Sequence, residues 1–145
     1  MASKVFLDAN ILLDFTLQRA RYPEAKKVIQ KGIDGDIQLC TTPAVLHITG
    51  YWLTKAYSST IAKQLLLTLL TDVQVIDCDH ATALMAINSN IDDIEDALQY
   101  YTALKYNAVY FISSDKKLKK AAMPQLPVYT AEELLEELDG PIGKR

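Results

Sequence analysis

Val5-Phe6-Leu7-Asp8-Ala9-Asn10-Ile11-Leu12-Leu13 opens the chain and decides its class. Val5 to Leu7 form a compact β-type run. Asn10 is a suitable cap for a helix whose apolar face is Ile11, Leu12 and Phe15. Asp8 stands between them, where an apolar residue would pack better. A carboxylate at the end of a first strand has a physical meaning in α/β sheets, which bind ligands outside the carboxyl ends of their strands. If other carboxylates return to that edge, they make a site for a divalent cation. Asp96, with Asp93 beside it, and Asp115 are the downstream candidates.

Outward from that stretch, strand and helix patterns alternate. Pro23 starts a second helix through Ala25, Val28 and Ile29 to Gly32, and Ile37 to Thr41 is a second strand. Pro43 opens a helix through Trp52 and Leu53, and Ser58-Ser59 offers a cap for another over Ile61 to Leu70. Val73 to Ile76 is a third strand, followed by a helix capped by Asp79. Asp92 and Glu95 have capping-box spacing for a helix reaching Tyr106. Val109 to Ser113, Lys116 to Ala122 and Val128-Tyr129 then read as strand, short basic helix and strand. Thr130 and Glu133 form a second capping box for a helix to Leu138. This alternation predicts an α/β fold, a parallel sheet covered on both faces, within one domain over residues 1–138 and a polar tail over 139–145.

Bulk properties exclude several function classes. The 145 residues carry a formal charge of −3 and are 50% hydrophobic. That balance opposes a broad DNA-binding surface but allows a local basic rim around an acidic site. No signal-length or membrane-spanning apolar run is present, so a soluble, cytoplasmic protein is expected. Cys40 and Cys78 are expected to be a reduced, buried pair. His47 and His80 lack zinc spacing, and no phosphate-cradling glycine loop supports ATP binding.

The carboxylates then carry the chemistry. Asp93 and Asp96 are three apart and predicted to share a helix face, where they repel unless a cation screens them. Asp115 follows Phe111-Ile112-Ser113-Ser114 and repeats the layout at Asp8, although it also suits the cap of a Lys-rich helix. Oxygen-only ligands select Mg²⁺ or Mn²⁺. Such an ion would lower the pKa of a bound water and neutralise a phosphodiester transition state. Arg19, Arg21, Lys116 and Lys117 are candidates for RNA contacts.

Three segments together resemble the PIN domain, the fold of many small RNA-cleaving nucleases that include VapC-type toxins. They are Leu7-Asp8-Ala9-Asn10 followed by Ile11-Leu12-Leu13-Asp14, then Asp93-Ile94-Glu95-Asp96-Ala97-Leu98-Gln99, then Tyr110-Phe111-Ile112-Ser113-Ser114-Asp115-Lys116. The resemblance implies a three-layer α/β/α arrangement with strand order 3-2-1-4-5. It implies that Asp8, Asp96 and Asp115 converge on one or two Mg²⁺ or Mn²⁺ ions with Asp93 close by. Asn10 and Ser113 or Ser114 would orient ligands and water. It further implies an endoribonuclease, the toxin of a toxin–antitoxin pair, acting as a homodimer and bound by a small antitoxin protein.

The chain departs from that family in one respect. The family carries a Glu on the helix after its second strand, whereas Thr42-Pro43-Ala44-Val45-Leu46-His47-Ile48-Thr49-Gly50 contains no acid. His47 is the candidate substitute. The competing expectation is therefore a PIN-like module that binds RNA or protein without cutting. A small-molecule phosphatase and a receiver-like signalling domain are further alternatives, the latter opposed by the Asp93/Asp96 helix and by the crossover lengths.

Overall fold

The computed structural model describes residues 2–140. Five strands form one sheet in the order β3-β2-β1-β4-β5, and every neighbouring pair is parallel. The strands are β1 (Ser3–Leu7), β2 (Ile37–Thr41), β3 (Val73–Val75), β4 (Tyr110–Ile112) and β5 (Val128–Tyr129). The helices are α1 (Ala9–Thr16), α2 (Tyr22–Ile33), α3 (Pro43–Ala56), α4 (Ser59–Leu69), α5 (His80–Ile87), α6 (Ile94–Lys105), α7 (Lys116–Ala121) and α8 (Ala131–Asp139).

Short strands hold because both faces of the sheet are covered. In β1, Val5, Phe6 and Leu7 are all fully buried, which is the continuous apolar run of a central parallel strand. Phe6 stacks on Phe111 of β4 with centroids 4.6 Å apart, and Tyr100 of α6 closes on Phe111 at 5.7 Å. The Tyr100 hydroxyl donates to the Leu126 carbonyl at 2.7 Å and accepts from the Met123 N–H at 2.7 Å, so the ring is buried without an orphaned polar tip. Right-handed crossovers put α1 to α4 on one face. The β3-to-β4 crossover runs back across the sheet and lays α5 and α6 on the other.

That reversal positions the site. The chain leaves β1 toward β2 and leaves β4 toward β5, in opposite directions. A crevice therefore opens at the carboxyl ends of β1 and β4, the switch point of the sheet. The Asp8 N–H donates to the Ile112 carbonyl at 3.1 Å, carrying the ladder to that rim.

Several local expectations shift. Asp8, not Asn10, caps α1. Asp93, not Asp92, caps α6 and accepts from the Asp96 N–H, so the expected Asp92/Glu95 box is displaced by one residue. Extended backbone at Asp93 leaves it outside the helix, so it does not share a helical face with Asp96. The Thr130/Glu133 box forms with both of its bonds. Cys40 is buried and Cys78 exposed, both as free thiols, so the pair is not jointly buried. The C-terminal helix α8 ends at Asp139, which pairs with Lys31. Residues 141–145 of that tail lie outside the described residues. No helix among the described residues is long and apolar enough to cross a membrane.

Candidate active site

Three aspartates reach the crevice by the same device: each is the N-cap of a helix that starts there. Asp8 accepts from the Ala9 N–H at 2.8 Å, Asp93 from the Asp96 N–H at 2.9 Å, and Asp115 from the N–H groups of Lys117 and Leu118 at 2.9 and 3.2 Å. In each case Oδ1 takes the cap bonds. Capping and site-building are therefore compatible in one side chain, because a carboxylate has lone pairs left on its second oxygen.

Ser113 joins two of these groups. Its hydroxyl donates to Oδ2 of Asp8 at 2.9 Å and accepts from the Asp115 N–H at 3.1 Å. It is buried, at 2% exposure, so these bonds compete with little water. Asp96 lies in the first turn of α6, near enough to Asp115 for a proton to be shared between the two carboxyls. Behind it, the Thr42 hydroxyl donates to Gln99 Oε1 in the interior, tying α6 to the start of α3.

The electrostatics are those of an acidic cluster whose members raise one another. Burial pushes the Asp96 carboxyl up to about 7, helped by the charge of Asp93, the hydrogen bond with Asp115 and the charges of Asp8 and Asp115. Burial likewise raises Asp8, against the lowering bonds from Ala9 and Ser113, with Asp115 and Asp93 adding to the rise. Among the described residues, the ion pairs join Arg19 to Asp14, Lys31 to Asp139, Lys105 to Asp79 and Lys119 to Glu133. None of them involves the crevice carboxylates. Like charges at low dielectric lower the cost of bringing in a cation.

The donor set is oxygen, which suits a hard divalent cation. Among the described residues, no group of three or more His, Cys, Asp or Glu side chains is placed to hold a metal ion together. Mg²⁺ is usually held by one or two carboxylates and keeps several waters, so two of these aspartates would suffice to hold it.

Other expected site residues divide. Lys117 lines a cavity of about 390 Å³ with Asp93, Asp96 and Asp115. Lys116 is exposed and is not among the residues lining it. Ser114 is exposed and lines a different cavity with Arg21 and Glu132, so of the two serines only Ser113 touches the carboxylates. Arg19 is committed to Asp14 at 2.9 Å and to the Asn10 carbonyl at 3.2 Å. Asn10 itself is exposed, and its side chain bonds none of the carboxylates among the described residues. His47 does not replace the missing acid: it is exposed and lines a groove between α3 and α4 with Tyr51 and Lys63, where none of the carboxylates lies.

Glu95 was not expected at the site. Burial, then the charges of Asp93 and Asp8, raise its carboxyl, which places it within electrostatic reach of both. The signal was the capping register. With Asp93 as the cap, both Glu95 and Asp96 fall in the first helical turn.

A family model for the PIN domain matches residues 4–117. Ribonuclease VapC1 of Aquifex aeolicus (strain VF5) is 28% identical over 145 residues, covering 93% of this chain and 95% of that protein. Among solved structures, VapBC2 from Rickettsia felis, bound to a DNA fragment from its promoter, superposes with a TM-score of 0.66 at 17% identity, over 88% of this chain and 98% of that one. VapC20 of Mycobacterium tuberculosis, a Sarcin-Ricin loop cleaving toxin, gives 0.64 at 16% identity, over 82% and 95%.

Proposed function

The chain belongs to the PIN domain family, and from that premise we propose that it is a Mg²⁺- or Mn²⁺-dependent endoribonuclease, the toxin of a toxin–antitoxin pair. The observation that supports the reading is that Asp8, Asp96 and Asp115 act on one another electrostatically near the ends of β1 and β4, and that among the described residues none of them is in an ion pair. The ribonuclease name of the Aquifex relative and the description of the Mycobacterium structure as a Sarcin-Ricin loop cleaving toxin support the substrate class.

Asp8, Asp96 and Asp115 would hold the cation, with Asp93 adding charge. Bound there, Mg²⁺ or Mn²⁺ lowers the pKa of a water and neutralises charge gathering on the phosphate. Ser113 locks the Asp8 carboxylate in one orientation and fixes the backbone at Asp115. Lys117 offers a cation to the RNA backbone from the rim. The cytoplasm, where its RNA would be met, is the compartment of this reading. A homodimer and a small antitoxin partner belong to it too. Exposed Tyr51, Trp52, Leu84, Met85 and Ile87 supply apolar surface for such contacts. The domain is taken as residues 1–138 with the tail beyond.

A second reading is favoured by one observation: α3 contributes no acid, and His47 stands elsewhere. A PIN-like module that binds RNA without cutting would follow. Incubation of 5′-labelled RNA with the protein and Mn²⁺, against the same mixture with EDTA, decides between them. New fragments only with the ion are expected; intact RNA that is retarded on a native gel would select the binding module.

Two further results follow from the same geometry. Ser113→Ala should reduce cleavage about 10- to 100-fold, the usual cost of losing a group that orients a metal ligand. The loss should shrink as Mn²⁺ is raised, and a loss that no concentration of Mn²⁺ moves would assign Ser113 a purely structural role.

The second result concerns pH. A carboxyl raised in the folded state keeps its proton where the unfolded chain has lost it, so stability is fully present below the unfolded value of 3.8 and is lost as pH rises through about 7. Glu133, lowered by Lys119, acts in the opposite sense and only below its ordinary value of 4.5. The metal-free protein should therefore melt at a higher temperature at pH 5 than at pH 8. Mn²⁺ at pH 8 should restore the difference. Equal melting temperatures at both pH values, with no response to Mn²⁺, would contradict the acidic cluster.

A further inference from the structure

The short helix α7 carries four lysines in six residues, and the fold sends them to different places. Leu118 is buried in the core, and Lys117 with Ala121 lines the cavity beside the carboxylates. Lys119 reaches across to α8, where its ammonium donates to both carboxylate oxygens of Glu133 at 2.6 Å. That leaves Lys116 and Lys120. They are four apart, so they share one face of the helix, and both are exposed. Resting on the ribonuclease reading, we propose that Lys116 and Lys120 continue from Lys117 as a track for the phosphates of an unpaired RNA strand, which runs out of the crevice along the outer face of α7.

Charge sets this face apart. The protein carries −3 overall. The cavity is lined by carboxylates that repel a phosphate until a cation is bound. An approaching strand therefore needs local positive charge beside the crevice. Lys116, Lys117 and Lys120 supply it, and among the described residues none of the three is in an ion pair. Each ammonium exchanges water for phosphate without first leaving a carboxylate.

The chain itself joins this face to the site. Asp115 is both a crevice carboxylate and the N-cap of α7, so the track begins one residue from the chemistry. The helix is about 9 Å long, which suits one strand. Duplex RNA is instead recognised by contacts across a groove between two backbones. Contacts to phosphates alone carry no base information, so the track holds the strand without reading its sequence.

Binding is measured without cleavage. A fluorescein-labelled oligouridylate, which stays unpaired, is titrated with the protein in EDTA at several KCl concentrations. Each phosphate contact to a single strand contributes about −0.7 to the slope of log affinity against log salt, so the double variant Lys116→Gln/Lys120→Gln should lose about 1.4 from that slope. At about 0.1 M salt it should bind about 10- to 30-fold more weakly. Lys119→Gln removes the same charge from the same helix, yet should change affinity by about twofold or less, because Glu133 already holds that lysine. All three positions are exposed and Gln is a good helix former, so the variants keep the fold. An unchanged slope in the double variant overturns the track. A loss with Lys119→Gln as large as that with Lys120→Gln alone does the same. So does an oligoglutamate peptide that binds with this slope while the RNA does not, which would assign the face to an acidic protein segment.

Cleavage with Mn²⁺ separates this proposal from the nuclease reading. The double variant should lose activity through KM and not through kcat, the mark of binding energy expressed equally in ground and transition states. RNA that is never cut, yet binds with the lysine-dependent slope, ends the nuclease reading and leaves the track standing. RNA that is cut with an unchanged KM in the double variant ends the track alone.

Discussion

Asp8→Asn combined with Asp96→Asn is expected to lower RNA cleavage by on the order of 10³-fold, comparable to the removal of a principal electrostatic group from an active site. The variant should nonetheless fold. Asn is as good an N-cap as Asp, so the bond from the Ala9 N–H at 2.8 Å survives at position 8. Position 96 is in the first turn of α6, where its side chain caps nothing. The same variant should also be more stable than wild type in metal-free buffer at pH 8, because two of the repelling charges are gone while the shapes remain. Loss of activity with a gain in stability separates an active-site role from a folding role. Cleavage equal to wild type would show that the activity belongs to a contaminant or to another surface.

Phe111→Ala should give the largest loss of stability, about 3–5 kcal/mol for a large buried aromatic. The ring is fully buried between Phe6 and Tyr100, so both faces lose their contacts at once. Against a total stability of about 5–15 kcal/mol, the loss brings the protein near unfolding. A urea titration followed by circular dichroism measures it, and Phe111→Leu, which keeps most of the volume, should cost about 1.5 kcal/mol or less. A cost below about 1 kcal/mol for the alanine variant would mean the β1–β4 contact is not the centre of the core. β4 also carries the chain into Ser113 and Asp115, so residual cleavage at low temperature should fall in step with the folded fraction.

The ribonuclease reading joins these two results. The same pair of central strands that packs Phe6 on Phe111 ends at Asp8 and Ser113. Packing and site are continuous, and the precision of the Ser113–Asp8 bond depends on how firmly the two strands register.

Local signals were legible where one residue type answers one local need. Thr130 with Glu133 satisfies orphan N–H groups within a single turn, and it forms as expected. Ile37 to Thr41 and Val128-Tyr129 appear with the expected bounds, since alternation and apolar runs report burial directly. Ambiguity entered where two adjacent residues could each do the same job. Asp92 and Asp93 are chemically identical candidates for a cap, and so in practice are Asp8 and Asn10. Which one wins depends on where the preceding chain must arrive, and that is set by the packing of α6 and by the β1–β4 ladder.

The order of strands and helices, and the positions of the acids along them, were determined by the sequence alone, because burial patterns and caps act over a few residues. Tertiary structure alone decided which groups meet. Neighbouring serines after β4 point in different directions, so Ser113 reaches Asp8 while Ser114 enters another cavity. His47 and Arg19, plausible by position, are directed to a groove and to Asp14. The carboxyl of Asp96 is raised to about 7 only because burial and three other aspartates act on it together. That effect falls off over a few ångströms through space and bears no relation to separation along the chain.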